Sequence, residues 1–140
     1  MPNDSAKDIR DRAFSFGCKV ARLALSLAPK PGIRSLVDQL LRSGTGIGAN
    51  LEEAKAASTK REFLRDVEIS LREAREAWYW LRIYKELQLG HPQTVLELVG
   101  EADSIVRILT SIVITTKRRL LTLPVVSAFC ILNSALLVSS

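Results

Sequence analysis

Apolar residues recur at three- and four-residue steps through most of this 140-residue chain. Ile9, Ala13, Phe16, Val20, Leu23 and Leu27 make the first such stripe. That spacing is one face of a helix and predicts one over residues 5–28. Asp4 or Ser5 would cap it, and Asp8 would face the positive end of its dipole. Pro29, Lys30, Pro31 and Gly32 end it, because proline cannot continue the hydrogen-bond ladder. A second stripe, Leu36/Val37, Leu40/Leu41, Gly44, Ile47/Gly48, Leu51 and Ala54, predicts a helix over 33–57. Gly44, Gly46 and Gly48 each cost that helix about 1 kcal/mol relative to alanine. Close approach of a neighbouring helix is the expected compensation, with a short break over 44–48 as the alternative.

Ser58-Thr59 reads as a helix start, and Glu62, three residues after Thr59, completes a capping box. The third helix is predicted to run to about residue 88, where Leu89-Gly90-His91-Pro92 makes a turn. The fourth stripe is Val95, Leu98/Val99, Ala102, Ile105/Val106, Leu109, Ile112/Val113 and Thr116. It predicts a helix to about residue 121, with Lys117-Arg118-Arg119 at the carbonyl end of its dipole. Four helices joined by short connections predict an all-α fold, an antiparallel up-down-up-down four-helix bundle over residues 1–121.

Residues 122–140 form an apolar C-terminal extension. The run 120–138 carries no charge and follows Lys117-Arg118-Arg119, the flank of a cytoplasmic membrane stop. Pro124 leaves only 125–138 unbroken, short of the about 20 apolar residues a span needs. Packing against the bundle or a neighbouring subunit is therefore expected instead of membrane insertion.

The third helix carries two apolar faces at about 100° per residue. Phe63, Val67, Leu71, Ala74, Trp78 and Leu81 share one. Ile69, Trp80, Ile83 and Leu87 lie nearly opposite. A bundle buries one face of each helix, so the second, tryptophan-bearing stripe predicts a subunit interface. The first helix offers a second stripe to match, in Phe14, Cys18, Ala21 and Leu25.

Composition narrows the chemistry. Hydrophobic residues at 47% and charged residues at 25% fit one ordinary globular domain. The net charge of +5 fits contact with nucleic acid, although 15 acids interspersed among 20 bases also fit a salt-bridged surface. Two distant cysteines, Cys18 and Cys130, predict reduced thiols, and the polar N-terminus carries no signal-peptide core. A cytoplasmic protein is expected. Gly44-x-Gly46-x-Gly48 has no preceding strand and no following Lys-Ser/Thr, so it is not read as a nucleotide loop. The single histidine, His91, sits at a turn. No zinc set and no nucleophile–base pair is readable, and no cofactor, small-molecule substrate or enzymatic activity is expected. Asn50 and Glu53 are expected to hydrogen-bond to a neighbouring helix, with Arg42 or Arg72 as partner.

The polar and small residues of the second helix carry a resemblance. Gln39, Arg42, Ile47, Asn50, Glu53, Ser58, Glu62 and Phe63 stand in the register of the motif of the bacterial 23S rRNA-intervening-sequence proteins. Leu51-Glu52 and Ala54 depart from it. The chain resembles that family over residues 8–120, which implies a four-helix fold with Gln39, Arg42, Asn50, Glu53 and Phe63 as structural motif residues. The family is similar to the accessory proteins of diversity-generating retroelements in forming ring-like pentamers. The resemblance therefore implies a homo-oligomer, a pentamer, and the second stripes of the first and third helices give its expected interface as Phe14, Cys18, Ile69, Trp80, Ile83 and Leu87. It also implies contact with RNA or a nucleoprotein. Arg12, Lys19, Arg65, Arg72, Lys117, Arg118 and Arg119 are the candidate contacts, binding phosphate backbone without reading sequence. No platform of exposed aromatics for base stacking is evident in the sequence. A protein-binding scaffold without nucleic-acid contact is the first alternative, and a tail-anchored membrane protein the second.

Overall fold

The computed structural model describes residues 4–27 and 30–137, with side chains over 9–27 and 30–122. Four helices make up the fold: α1 (Asp4–Ser26), α2 (Pro31–Ala56), α3 (Lys60–Glu86) and α4 (Pro92–Leu137). α1 already includes Asp4 and Ser5, so its cap lies outside the described residues. Pro31 does not block α2 but opens it, where the missing N–H would have no intrahelical partner. The alternative of a break at the glycines is not realised, and α2 is continuous.

The Thr59 capping box forms as expected. The Thr59 hydroxyl accepts from the Glu62 N–H at 3.1 Å, and Glu62 Oε2 accepts from the Thr59 N–H at 3.2 Å. α3 stops two residues before the expected end. Leu89 N–H donates to the Tyr84 carbonyl and Gln88 N–H to the Lys85 carbonyl, while Gln88 takes a φ of 55°. This is a Schellman end with glutamine where glycine is usual.

Each neighbouring pair of helices runs antiparallel. Gly17 lies against Gly44, and Gly48 against Ala13. The Ser70 hydroxyl donates to the Ile47 carbonyl, Arg12 meets Glu101, and Lys117 meets Glu68. α1 contacts α2 and α4, and α3 contacts α2 and α4, so α1 and α3 stand diagonally across an up-down-up-down bundle. The core takes the predicted stripes of α1, α2 and α4. On α3 it is rotated toward α2: Ser70, Ala77 and Tyr84 are fully buried, while Phe63 and Trp78 are only half-buried.

The glycines of α2 face two ways. A Cβ on Gly44 would lie 2.8 Å from Val20 Cγ1, and one on Gly46 would lie 3.3 Å from the Glu73 carboxylate. Close helix approach, not chain flexibility, explains both.

α4 does not end near residue 121 but continues through Pro124 to Leu137. Loss of one N–H removes a single ladder bond, and the helix carries on past it. Antiparallel register with Glu68 opposite Lys117 exhausts α3 before α4 is finished. Leu121 is accordingly exposed. The side-chain packing expected for the extension lies outside the described residues. Among the described residues no helix is long and apolar enough to cross a membrane.

Candidate nucleic-acid interface

The outward residues of α3 recur at three- and four-residue steps: Arg65, Glu68, Arg72, Arg75, Tyr79 and Arg82. They form one ridge because that spacing keeps a residue on the same helix face. Between this ridge and α4 runs a groove of about 650 Å³ lined by Arg65, Arg72, Arg75 and Lys117, with Glu68, Thr110 and Ile114. Four cations thus meet one carboxylate. Lys117 is held 2.6 Å from Glu68, and Arg65 lies 3.2 Å from the buried Asp66. Among the described residues Arg72 and Arg75 form no ion pair, and both are exposed. They are the groove's available charges.

Three of the seven expected nucleic-acid contacts, Arg65, Arg72 and Lys117, therefore converge. The other four do not. Arg12 is committed to α4: its guanidinium donates twice to Glu101, at 2.9 and 2.8 Å, and once to Ser104 at 2.9 Å. A bidentate pair of this kind fixes the arginine and leaves it a strut between helices. Lys19 is exposed on α1, and Arg118 on α4. Arg119 borders a different groove, at the end of the bundle, with Arg10 and Lys55. Arg75 completes the α3/α4 groove, and its three-residue step from Arg72 was the sequence signal for it.

The α3/α4 face also holds aromatic surface that the sequence did not reveal. Tyr79 is 54% exposed, and its ring meets the edge of Trp80 at 5.2 Å and 73°. The Arg82 guanidinium lies 4.5 Å over the Trp78 ring, a cation–π contact. Trp78, Tyr79, Arg82, Ile83, Leu87 and Val99 border a second groove of about 600 Å³.

The expected interface residues divide. Phe14 and Leu25 on α1 are 73% and 86% exposed, with Cys18 and Ala21 half-buried between them. On α3, Leu87 is exposed and Ile69 and Ile83 are half-buried. Trp80 packs partly against the core, and its indole N–H donates to Glu76 Oε1 at 3.3 Å. It is less free than its place opposite Trp78 on the wheel suggested, because the core sits nearer to it.

Of the motif residues, Gln39 and Arg42 lie at the α2/α3 seam, and Phe63 borders the groove at the end of the bundle. Arg42 donates to Gln39 at 3.0 Å and to Glu76 at 2.6 Å. Asn50 does not reach a neighbouring helix: its Nδ2 donates to the Gly46 carbonyl of its own helix at 2.7 Å. Glu53 is exposed and has no ion pair among the described residues. The expected cross-helix bonds of Asn50 and Glu53 are thus corrected. Gly46 instead makes room for Glu73, whose carboxyl is raised above the usual carboxylate range. Burial is the first cause and the Glu76 charge the second, against the lowering effect of Arg42 and Arg72. Glu73 Oε2 has no hydrogen-bond partner among the described residues. His91 is exposed, and no group of His, Cys, Asp and Glu able to hold a metal occurs among the described residues.

Fold and groove together define a small antiparallel four-helix bundle with a cationic channel between its third and fourth helices. The chain belongs to the 23S rRNA-intervening sequence protein family, whose sequence model matches residues 6–111. A crystal structure of a protein of unknown function from the S23 ribosomal protein family of Bacteroides thetaiotaomicron VPI-5482 is similar to it. The two are 28% identical, with a TM-score of 0.71 over 78% of this chain and 97% of that one. No curated protein matches the sequence.

Proposed function

We propose that this chain is a non-enzymatic, homo-oligomeric protein of the cytoplasm that binds RNA through its phosphate backbone, without reading base sequence. The observation that carries this reading is the convergence of Arg65, Arg72, Arg75 and Lys117 on one groove. Arginine suits the task because its planar fork matches phosphate oxygens. An ordered assembly repeats the groove around its axis, and the summed field attracts a polyanion more strongly than one copy does. Self-association is supported by two different apolar stripes on diagonal helices, Phe14 and Leu25 on α1 against the α3 stripe centred on Trp80, a residue that borders neither groove. Two unlike patches pair head to tail, and such contacts close into a ring when the rotation from one subunit to the next divides a full turn. A pentamer is the ring size that the family resemblance implies.

RNA retention on filters across a salt series tests the reading. Affinity should fall steeply as salt rises, because each neutralised phosphate releases counterions. Arg72→Glu with Arg75→Glu should weaken binding for every sequence alike while the oligomer keeps its mass. Absence of binding at low salt would leave a protein-binding scaffold as the better account.

A further inference from the structure

We infer that the ligand of this face is single-stranded nucleic acid, with Tyr79 as the surface on which a base stacks. The inference rests on the nucleic-acid reading above and specifies the form of the strand. Its ground is the order of residues on the α3 ridge. Arg72 and Arg75 are followed, one turn further, by Tyr79, and one turn beyond that by Arg82. From Arg65 to Arg82 the ridge is about 25 Å long, room for several phosphate spacings. The cationic groove and the aromatic groove therefore lie end to end along one helix.

Tyr79 suits a base for two reasons. It is 54% exposed, so a base can reach its ring without displacing core residues. Its edge contact with Trp80 holds the ring in place, so less side-chain freedom is lost on stacking. Beside it, the Arg82 guanidinium lies 4.5 Å over the Trp78 ring and adds a positive charge next to the tyrosine. Stacking on aromatics beside a basic groove is how proteins hold strands without choosing sequence. A duplex keeps its bases within its own stack and offers Tyr79 nothing but backbone. Discrimination between strand and duplex therefore falls on Tyr79, whereas affinity for either falls on Arg72 and Arg75.

Fluorescence anisotropy of labelled oligouridylate and of a labelled RNA duplex of equal length decides the matter. The full chain is used, with Tyr79→Ala, Tyr79→Phe and the Arg72→Glu/Arg75→Glu pair. The wild type should bind oligouridylate more tightly than duplex. Tyr79→Ala should weaken oligouridylate by about tenfold, the scale of one lost base stack, and leave the duplex unchanged. Tyr79→Phe should restore strand binding, which separates loss of the ring from loss of the hydroxyl. Circular dichroism of each variant should match the wild type. If Tyr79→Ala leaves both affinities unchanged while the arginine pair abolishes both, stacking is overturned and backbone binding stands. If neither probe binds at low salt, both readings fall.

Discussion

Arg42 on α2 and Trp80 on α3 share one acceptor: Oε1 of Glu76 lies 2.6 Å from the guanidinium and 3.3 Å from the indole nitrogen. Through Glu76 the motif arginine orients the tryptophan. The bridge is half open to water, with Arg42 60% and Glu76 34% exposed, so solvent screens its charge. Exposed pairs of this kind contribute about 0–1 kcal/mol.

The first prediction follows from that screening. Arg42→Ala should lower unfolding free energy by no more than about 1 kcal/mol in urea titration. Glu53→Ala, which removes no bond, should stay within about 0.5 kcal/mol of wild type. A loss of 2 kcal/mol or more at either position, on the scale of about 1–3 kcal/mol for an unpaired buried group, would show a buried partner for it.

Two glycines of α2 should respond oppositely to alanine. At Gly44 the new methyl would sit 2.8 Å from a branched, fully buried valine, Val20, which cannot swing aside. Overpacking of this kind costs about 1–3 kcal/mol. At Gly48 the nearest atom is the Ala13 carbonyl carbon at 3.6 Å, ordinary contact distance. Gly48→Ala should therefore keep most of the about 1 kcal/mol that helix propensity offers. Thermal melts of the two variants should move in opposite directions, and a shared direction would refute the packing argument.

Glu73 makes stability depend on pH. Its folded carboxyl holds a proton more tightly than a glutamate in water, whose ordinary pKa is about 4.3. The folded state thus binds more protons than the unfolded one as pH rises above that value. The associated stability is complete below the unfolded pKa and is lost as pH rises through the folded one. Glu73→Gln imitates the protonated acid, so its melting temperature relative to wild type should climb from acid to neutral pH. A difference that is flat, or that falls with pH, would contradict this sign. Tyr84, buried and pushed up to about 12 by burial and by the Asp38 charge, should ionise only in strong alkali in a spectrophotometric titration.

The α1 stripe offers the cleanest test of assembly. Phe14→Glu with Leu25→Glu places charge on side chains that are 73% and 86% exposed, so the fold should survive. Light scattering should report a lower mass while helical circular dichroism is retained. A wild type that is already monomeric would defeat the assembly reading.

Helix number, order and core were legible in the sequence because each stripe repeats over many turns. Val20, Leu40, Ile47, Leu98 and Ile105 are buried where periodicity placed them. On α3 a wheel fixed the apolar sector but not its centre, and the core settled nearer Ser70, Ala77 and Tyr84. Periodicity ranks faces by hydropathy, whereas packing admits a serine or a tyrosine wherever shape and hydrogen bonds allow. α4 runs on past residue 121, where its amphipathic stripe ends, because the uniformly apolar stretch beyond carries no period to mark a boundary and Pro124 removes only one ladder bond. The cationic groove was half legible. Spacing put Arg72 and Arg75 on one ridge, but only the antiparallel register brought Lys117 opposite. Partner choice was not legible at all: whether Arg12 meets phosphate or Glu101, or Asn50 a neighbouring helix or its own, depends on atoms within a few ångströms.

The diagonal placement of α1 and α3 has a consequence for mixtures. A subunit damaged on α1 alone keeps an intact α3 stripe on the far side. In the proposed head-to-tail assembly such a subunit would join by one edge and offer nothing at the other. Added to wild-type protein, the α1 variant would behave as a terminator, and a minority of it would deplete closed assemblies out of proportion to its amount. Subunits altered on α1 and subunits altered on α3 would each be unable to grow alone, yet together they retain one sound joint and should stop at pairs.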